Sequence, residues 1–158
     1  ISEVCMLQLS TPQPAYPTAY QTVDIAIMTR SLQHILLGKK KGNGLLQFIG
    51  GFSDPKSKSL EEDAIRETKE ETGLIIKNPI YIGSHIIDDE RYRNSVHKIK
   101  TALFLAKLDW NQFATANDDI EAVYWMPIKS SWKGILVKKH HVLMNMLLNA
   151  LTNPDRLW

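Results

Sequence analysis

The sequence predicts an α+β domain: a mixed sheet with two main helices packed on it, an α/β/α sandwich. Three observations carry this expectation. Residues 60–72 and 138–152 have helical signatures, and six short apolar runs around them have the composition or alternation of strands. The chain has 158 residues, 44% apolar and 23% charged, which is enough apolar material for one core.

The elements follow in order. Residues 10–22, STPQPAYPTAYQT, hold three prolines, which remove backbone donors and fix φ. Residues 1–22 are therefore expected to be an extended arm or linker, and the domain to run over 23–158. VDIAIM (23–28) and HILLGKK (34–40) read as an antiparallel pair of strands joined by a polar turn. KKKGNG (39–44) is a loop, and LLQFIGG (45–51) a further strand ending in a glycine pair. Ser59 and Glu62 fit a capping box and Gly73 fits a C′ residue, so a helix is expected over 60–72, with Leu60, Ala64, Ile65 and Thr68 as its packing strip. Residues 79–87, 96–108 and 120–128 read as strands. KKHHVLMNMLLNALT (138–152) reads as an amphipathic helix, with His140 and His141 as surface or partly buried residues.

Composition excludes several classes. A net charge of +2 gives no nucleic-acid-binding stripe, and no apolar run approaches the roughly 20 residues of a membrane span. The N-terminal residues lack the basic-then-apolar pattern of a secretory signal. One cysteine, Cys5, allows no internal disulfide and suits a reducing compartment, so the expected location is cytoplasmic.

The chemistry-bearing stretch is RETKEETG (66–73). Glu67, Glu70 and Glu71 stand three and four residues apart, so on a helix they project within about a third of the circumference. Like charges so placed repel, and the pattern has two readings: a solvated face, or a seat for something positive. Mg²⁺ and Mn²⁺ take hard oxygen ligands, which carboxylates supply. Asp63 falls on the same face and is expected to be solvated.

The stretch GGFSDPKSKSLEEDAIRETKEETGL (50–74) resembles the signature of the Nudix hydrolase family: Gly, five residues, Glu, seven residues, Arg-Glu, an apolar residue, any residue, Glu-Glu, any residue, Gly, apolar residue. Arg66, Glu67, Glu70, Glu71, Gly73 and Leu74 match it. The resemblance covers most of 22–152 and implies the Nudix α/β/α sandwich and metal-dependent hydrolysis of a diphosphate linkage. It implies Glu67, Glu70 and Glu71 as ligands of Mg²⁺ (or Mn²⁺), Glu70 also as a catalytic group, and Arg66 as the residue holding the glutamates in position. It further implies Gly50 and Gly51 as close-approach positions for metal and phosphate. The general base in such domains is a box glutamate or an acid of a later loop; ANDDIEAVYW (116–125) offers Asp118, Asp119 and Glu121, of which Glu121 is preferred.

The sequence departs from the pattern in four places. Lys58 stands where the first glutamate belongs and Phe52 where the glycine belongs, so Gly51 serves only with one extra loop residue. Ile49 replaces a common proline, and Thr68 an apolar residue. Asp54 is read as a turn former, with a reach toward metal as its alternative. The segment DDERYR (88–93) followed by KIKTALF is similar to Nudix domains linked to nicotinamide-nucleotide metabolism. That resemblance implies ADP-ribose as substrate, giving AMP and ribose 5-phosphate. Arg91, Arg93 and Phe52 are its candidate binding residues, and Tyr92 a stacking one. The alternatives are a nucleoside triphosphate pyrophosphohydrolase and a non-hydrolytic ligand sensor. The expected partners are a small nucleotide and a second copy of the chain as a homodimer, with neither membrane nor nucleic acid.

Overall fold

Backbone hydrogen bonds along both edges make β1 (Ala19–Met28) the centre of a seven-stranded mixed sheet. In the computed structural model, which describes residues 16–42, 44–109 and 112–157, β1 pairs in parallel with β6 (Lys98–Lys107) over its whole length, from Ala19↔Lys98 to Met28↔Lys107. Its other edge is divided. β4 (Ile49–Phe52) lies antiparallel to Thr22–Ile25, and β2 (His34–Lys40) antiparallel to Ile27 and Met28. β3 (Leu46–Gln47) and β7 (Ile120–Pro127) pair antiparallel with β2, and β5 (Ile80–Ile87) pairs antiparallel with β6.

Side chains alternate across a strand, so each face of this sheet has its own core. Val23, Ile25 and Ile27 of β1 pack with Phe104 of β6 and Ala64 of helix α1 (Leu60–Thr72). Ala26 and Met28 point the other way, with Leu103 and Leu105, toward Leu143, Met144 and Leu147 of helix α2 (His141–Leu151). The result is one helix on each side of the sheet, the sandwich expected. Each fully buried Leu, Ile or Met contributes about 1.5–3 kcal/mol, which holds both layers closed.

Four expectations change. Residues 19–22, assigned to the arm, are the first residues of β1; they are mostly exposed and held by the backbone ladder with β6 rather than by burial. The rest of the arm before residue 16, with Cys5, lies outside the described residues, as does Asn43 of the glycine loop. The strand expected over 45–51 breaks into β3 and β4 at Phe48, whose amide donates to His140 Nδ1 at 3.0 Å instead of to a strand. The second helix begins at His141, preceded by a 3₁₀ turn, Lys138–His140. Leu60 and Ile65 only border the core, because α1 turns a different face inward.

Candidate active site

Helix α1 begins and ends at its sequence signals. The Ser59 side chain accepts from the Glu62 amide at 3.1 Å, while the Glu62 carboxylate accepts from the Lys58 amide at 2.6 Å. Gly73 closes the helix at φ 72°, its amide donating to the Lys69 carbonyl at 2.9 Å. Between these caps the buried side chains are Asp63, Ala64, Glu67, Thr68, Glu71 and Thr72. Three acids at i, i+4 and i+8 thus run along the inner face beside a line of small residues. Thr68 fits its unusual place because its hydroxyl donates to the Ala64 carbonyl at 2.8 Å.

Asp63, expected to be solvated, is fully buried. Its carboxylate accepts from the Ser53 hydroxyl at 2.6 Å, the Asp54 amide at 3.1 Å and Arg66 Nη2 at 3.1 Å. Burial alone would raise its pKa; the hydrogen bonds from Ser53, Asp54, Ser57 and Arg66 outweigh burial and hold the carboxyl below the usual range. The Asp54 side chain accepts from the Lys56 amide at 2.9 Å, closing the turn of the loop before α1.

Arg66 ties the site together. Nη1 donates to Glu67 at 3.0 Å and Glu70 at 3.3 Å, and Nη2 to Asp63 and to the Phe52 carbonyl at 3.3 Å. Burial opposes its charge, but Asp63 and Glu67 keep the guanidinium firmly protonated. Glu70 is turned aside toward Arg66, with its side chain 47% exposed. Of the three expected metal ligands, Glu67 and Glu71 meet and Glu70 does not join them. Among the described residues no three His, Cys, Asp or Glu side chains form a metal-ligand group.

Glu67 and Glu71 are buried beside each other. Burial, and then the charge of Glu67, pushes the Glu71 carboxyl up; burial also raises Glu67, against the pull of Arg66. The Gly50 amide donates to Glu71. A Cβ on Gly51 would come within 2.6 Å of the Glu67 carboxylate, so only glycine leaves that oxygen clear. Two buried carboxylates whose charges oppose each other, beside an open backbone cradle, fit a hard divalent cation that completes its shell with water and substrate oxygens.

These groups form one wall of a cleft of about 400 Å³. Asp24, Asp118 and Asp119 add acids to it, and Lys40, Arg91 and Lys139 add cations. Phe52 stands at the cleft, 41% exposed, with the Arg91 guanidinium 5.4 Å from its ring centroid. Arg93 is elsewhere: it pairs with Asp88 at 3.1 Å and borders an adjoining hollow of about 530 Å³. Tyr92 packs on Tyr20, with ring centroids 5.4 Å apart. Glu121 does not line the cleft. Ile120 is the buried residue of that pair, so Glu121 projects to the other side of β7, 3.6 Å from Lys39 Nζ.

The sequence pattern does not single out Lys40, Asp89 or Lys139, nor the cleft pair Asp24 and His140. His140 is buried rather than superficial; besides accepting from Phe48, its Nε2 lies 3.7 Å from Asp24 Oδ1. The other Asp24 oxygen accepts from the Thr101 hydroxyl at 2.6 Å. Burial lowers the His140 pKa, so the imidazole is neutral. The one signal for this pair was a lone acid, Asp24, inside the apolar run VDIAIM.

Comparison with known proteins agrees with this picture. Residues 19–145 match the model of the NUDIX domain. A NAD-capped RNA hydrolase of Schizosaccharomyces pombe is 38% identical over 71 residues, which is 44% of this chain and 19% of that protein. The NAD-capped RNA hydrolase NudC of Vibrio vulnificus is 37% identical over 71 residues, 44% of this chain and 26% of its own length. The chain therefore spans a minor part of either relative. Among solved structures, the NUDIX domain of Shewanella oneidensis NrtR, complexed with ADP ribose, superposes with TM-score 0.71 at 20% identity, covering 93% of this chain and 97% of that one. A bifunctional NMN adenylyltransferase/ADP ribose pyrophosphatase of Francisella tularensis gives TM-score 0.64 at 25% identity, covering 94% of this chain and 45% of that one. No helix among the described residues is long and apolar enough to cross a membrane. With the family match running from β1 into α2 and across the acidic helix, the chain belongs to the NUDIX family of hydrolases.

Proposed function

We propose that the chain hydrolyses ADP-ribose, a nucleoside diphosphate joined to a second sugar, to AMP and ribose 5-phosphate. One observation carries this reading: the Glu67–Glu71 pair faces the Gly50–Gly51 backbone in a cleft that also presents Lys40, Arg91 and Lys139. A diphosphate needs such a mixture, because its charge must be neutralised on both phosphorus centres before water attacks. Glu67 and Glu71 would hold Mg²⁺ or Mn²⁺, which supplies charge neutralisation and a more acidic water. Water adds to one phosphorus, the bridging P–O bond breaks, and each product leaves with one phosphate. Arg66 would keep Glu67 oriented, and an acid of the 118–119 turn, which lines the cleft, would take the water's proton.

The structural relatives that bind or cleave ADP-ribose support this substrate. The two NAD-capped RNA hydrolases support a second reading, in which the distal half carries nicotinamide and the products are AMP and nicotinamide mononucleotide. The sensor alternative is disfavoured by the Asp63–Arg66–Glu67 network, which spends two charged groups, Asp63 and Arg66, on fixing the Glu67 carboxylate.

Incubation with Mg²⁺ or Mn²⁺ and either ADP-ribose or NAD, followed by chromatography of the products, tests the proposal. AMP with ribose 5-phosphate, abolished by a chelator, is expected. A well-folded protein that gains thermal stability from ADP-ribose yet releases no AMP is a sensor, and the proposal is then wrong.

A further inference from the structure

Asp89 is a buried acid of the cleft that the reaction above does not use. It is 4% exposed and precedes a 3₁₀ turn, Glu90–Tyr92. One oxygen accepts from the Arg91 amide at 2.9 Å and from Arg91 Nε at 2.9 Å; the other accepts from Arg91 Nη2 at 2.9 Å. That second oxygen also lies 3.5 Å from Lys139 Nζ, in the 3₁₀ turn before α2. A turn cap needs a single amide contact. Asp89 does more, using both oxygens and joining two segments fifty residues apart in sequence (89 and 139).

We propose that Asp89 is a positioning residue that gathers Arg91 and Lys139 into an anion clamp for the second phosphate of the substrate. The inference rests on the hydrolase reading above and adds to it a site for the phosphate that the carboxylates do not handle. Arg91 and Lys139 would repel each other if brought together alone, and a carboxylate between them removes that repulsion. The trio has a net charge of +1. Arg91 spends two of its five side-chain donors on Asp89, and Lys139 has three, so donors remain for phosphate oxygens. Arg91, Lys139 and Asp89 all line the cleft that holds Glu67 and Glu71. The cleft thus has an acidic group that suits a metal and a separate cationic group that suits a phosphate directly. The hydrogen bonds of Arg91, together with the Lys139 charge, hold the Asp89 carboxyl well below the usual range, so the clamp stays assembled across the neutral pH range.

The test uses inorganic pyrophosphate as a binding probe, with Mg²⁺ present, beside steady-state kinetics on ADP-ribose. Asp89→Asn is expected to weaken pyrophosphate binding and raise KM by about tenfold each, the loss typical of a charge-assisted contact, with kcat within about twofold. Asp89→Glu should recover most of that loss. Adding Lys139→Met to Asp89→Asn should cost less than the two single effects combined, since both disable one unit. A folded Asp89→Asn protein with unchanged pyrophosphate affinity and KM overturns the clamp, as do additive effects. Should Asp89→Asn fail to fold, Arg91→Gln and Lys139→Met stand in for it, and unchanged pyrophosphate affinity in both overturns it equally. Pyrophosphate binding that follows this pattern in a protein without ADP-ribose turnover keeps the clamp and removes the hydrolase reading.

Discussion

Asp63 and Arg66 form a contact of 3.1 Å in which the Asp63 side chain is fully buried and the Arg66 side chain 31% exposed. The expected first carboxylate of the motif is absent, yet Arg66 still has an acid partner on its side away from Glu67, supplied from within the helix and anchored to the loop through Ser53 and Asp54. Asp63→Ala is therefore expected to destabilise the fold by about 2 kcal/mol, the cost of leaving buried polar partners unmatched, and to lower kcat as Arg66 swings away from Glu67. Lys58→Glu should change kcat by less than about twofold, because Arg66 already has Asp63, Glu67 and Glu70 as partners. Urea unfolding and initial rates for both variants measure these outcomes, and a large gain from Lys58→Glu would count against the compensation.

The three box glutamates should separate in their effects. Glu67 and Glu71 are buried and face each other, while Glu70 is half exposed and faces Arg66. Glu67→Gln and Glu71→Gln are each expected to lower kcat by about a hundredfold or more, the several kcal/mol that a bound cation contributes. Glu70→Gln should cost less than about tenfold, since it loses only a half-exposed charge contact. Mn²⁺ titration followed by calorimetry should also show proton release on binding to the wild type near neutral pH. Burial, and then the charge of Glu67, holds the Glu71 carboxyl above the ordinary range, and the ion must displace the proton it carries. Equal losses in all three variants would contradict this geometry.

How much of this was legible in the sequence depended on how local each cause was. The ends of α1 were readable because Ser59, Glu62 and Gly73 act within one turn of the residues they cap. The break at Phe48 was not, because the acceptor of its amide, His140, lies 92 positions away. The spacing of Glu67, Glu70 and Glu71 suggests one face with Asp63 solvated, but the buried line is 63, 67 and 71, and Glu70 falls beside it. Residues 19–22 look like linker because they bury almost nothing, and only their ladder with β6 makes them strand.

His140 makes stability depend on pH. Burial, despite the nearby charge of Asp24, lowers its folded-state pKa below the unfolded value of about 6.5; Lys139 and Lys40 push the same way, and Asp89 opposes them. A proton is thus bound more readily by the unfolded chain. The stabilising contribution is full above about pH 6.5 and is lost as pH falls through and below it, by at most about 1.4 kcal/mol per pH unit. Denaturant unfolding at pH 7.5 and 5.5 should show this slope in the wild type. His140→Gln, whose side-chain oxygen can still accept from the Phe48 amide, should flatten it.

The general base follows from which acids reach the cleft. Asp118 adopts φ 54° in the turn leading into β7, and both it and Asp119 line the cleft, while Glu121 is on the far side of that strand beside Lys39. The turn is fixed at both ends of its neighbourhood: the Asn117 amide donates to the Glu71 carbonyl at 3.0 Å, and the Lys41 amide to the Asp119 carbonyl at 3.2 Å. The first bond ties the turn to α1, which carries Glu67 and Glu71, and the second ties it to the residue after β2. Glu121→Gln is accordingly expected to leave kcat within about twofold, as for a surface ion pair of small worth. The double variant Asp118→Asn with Asp119→Asn should lower kcat by about a hundredfold, the low end for loss of a proton acceptor, and should flatten the acidic limb of the pH–rate profile. A double variant that keeps its rate would return the role to the glutamates of α1.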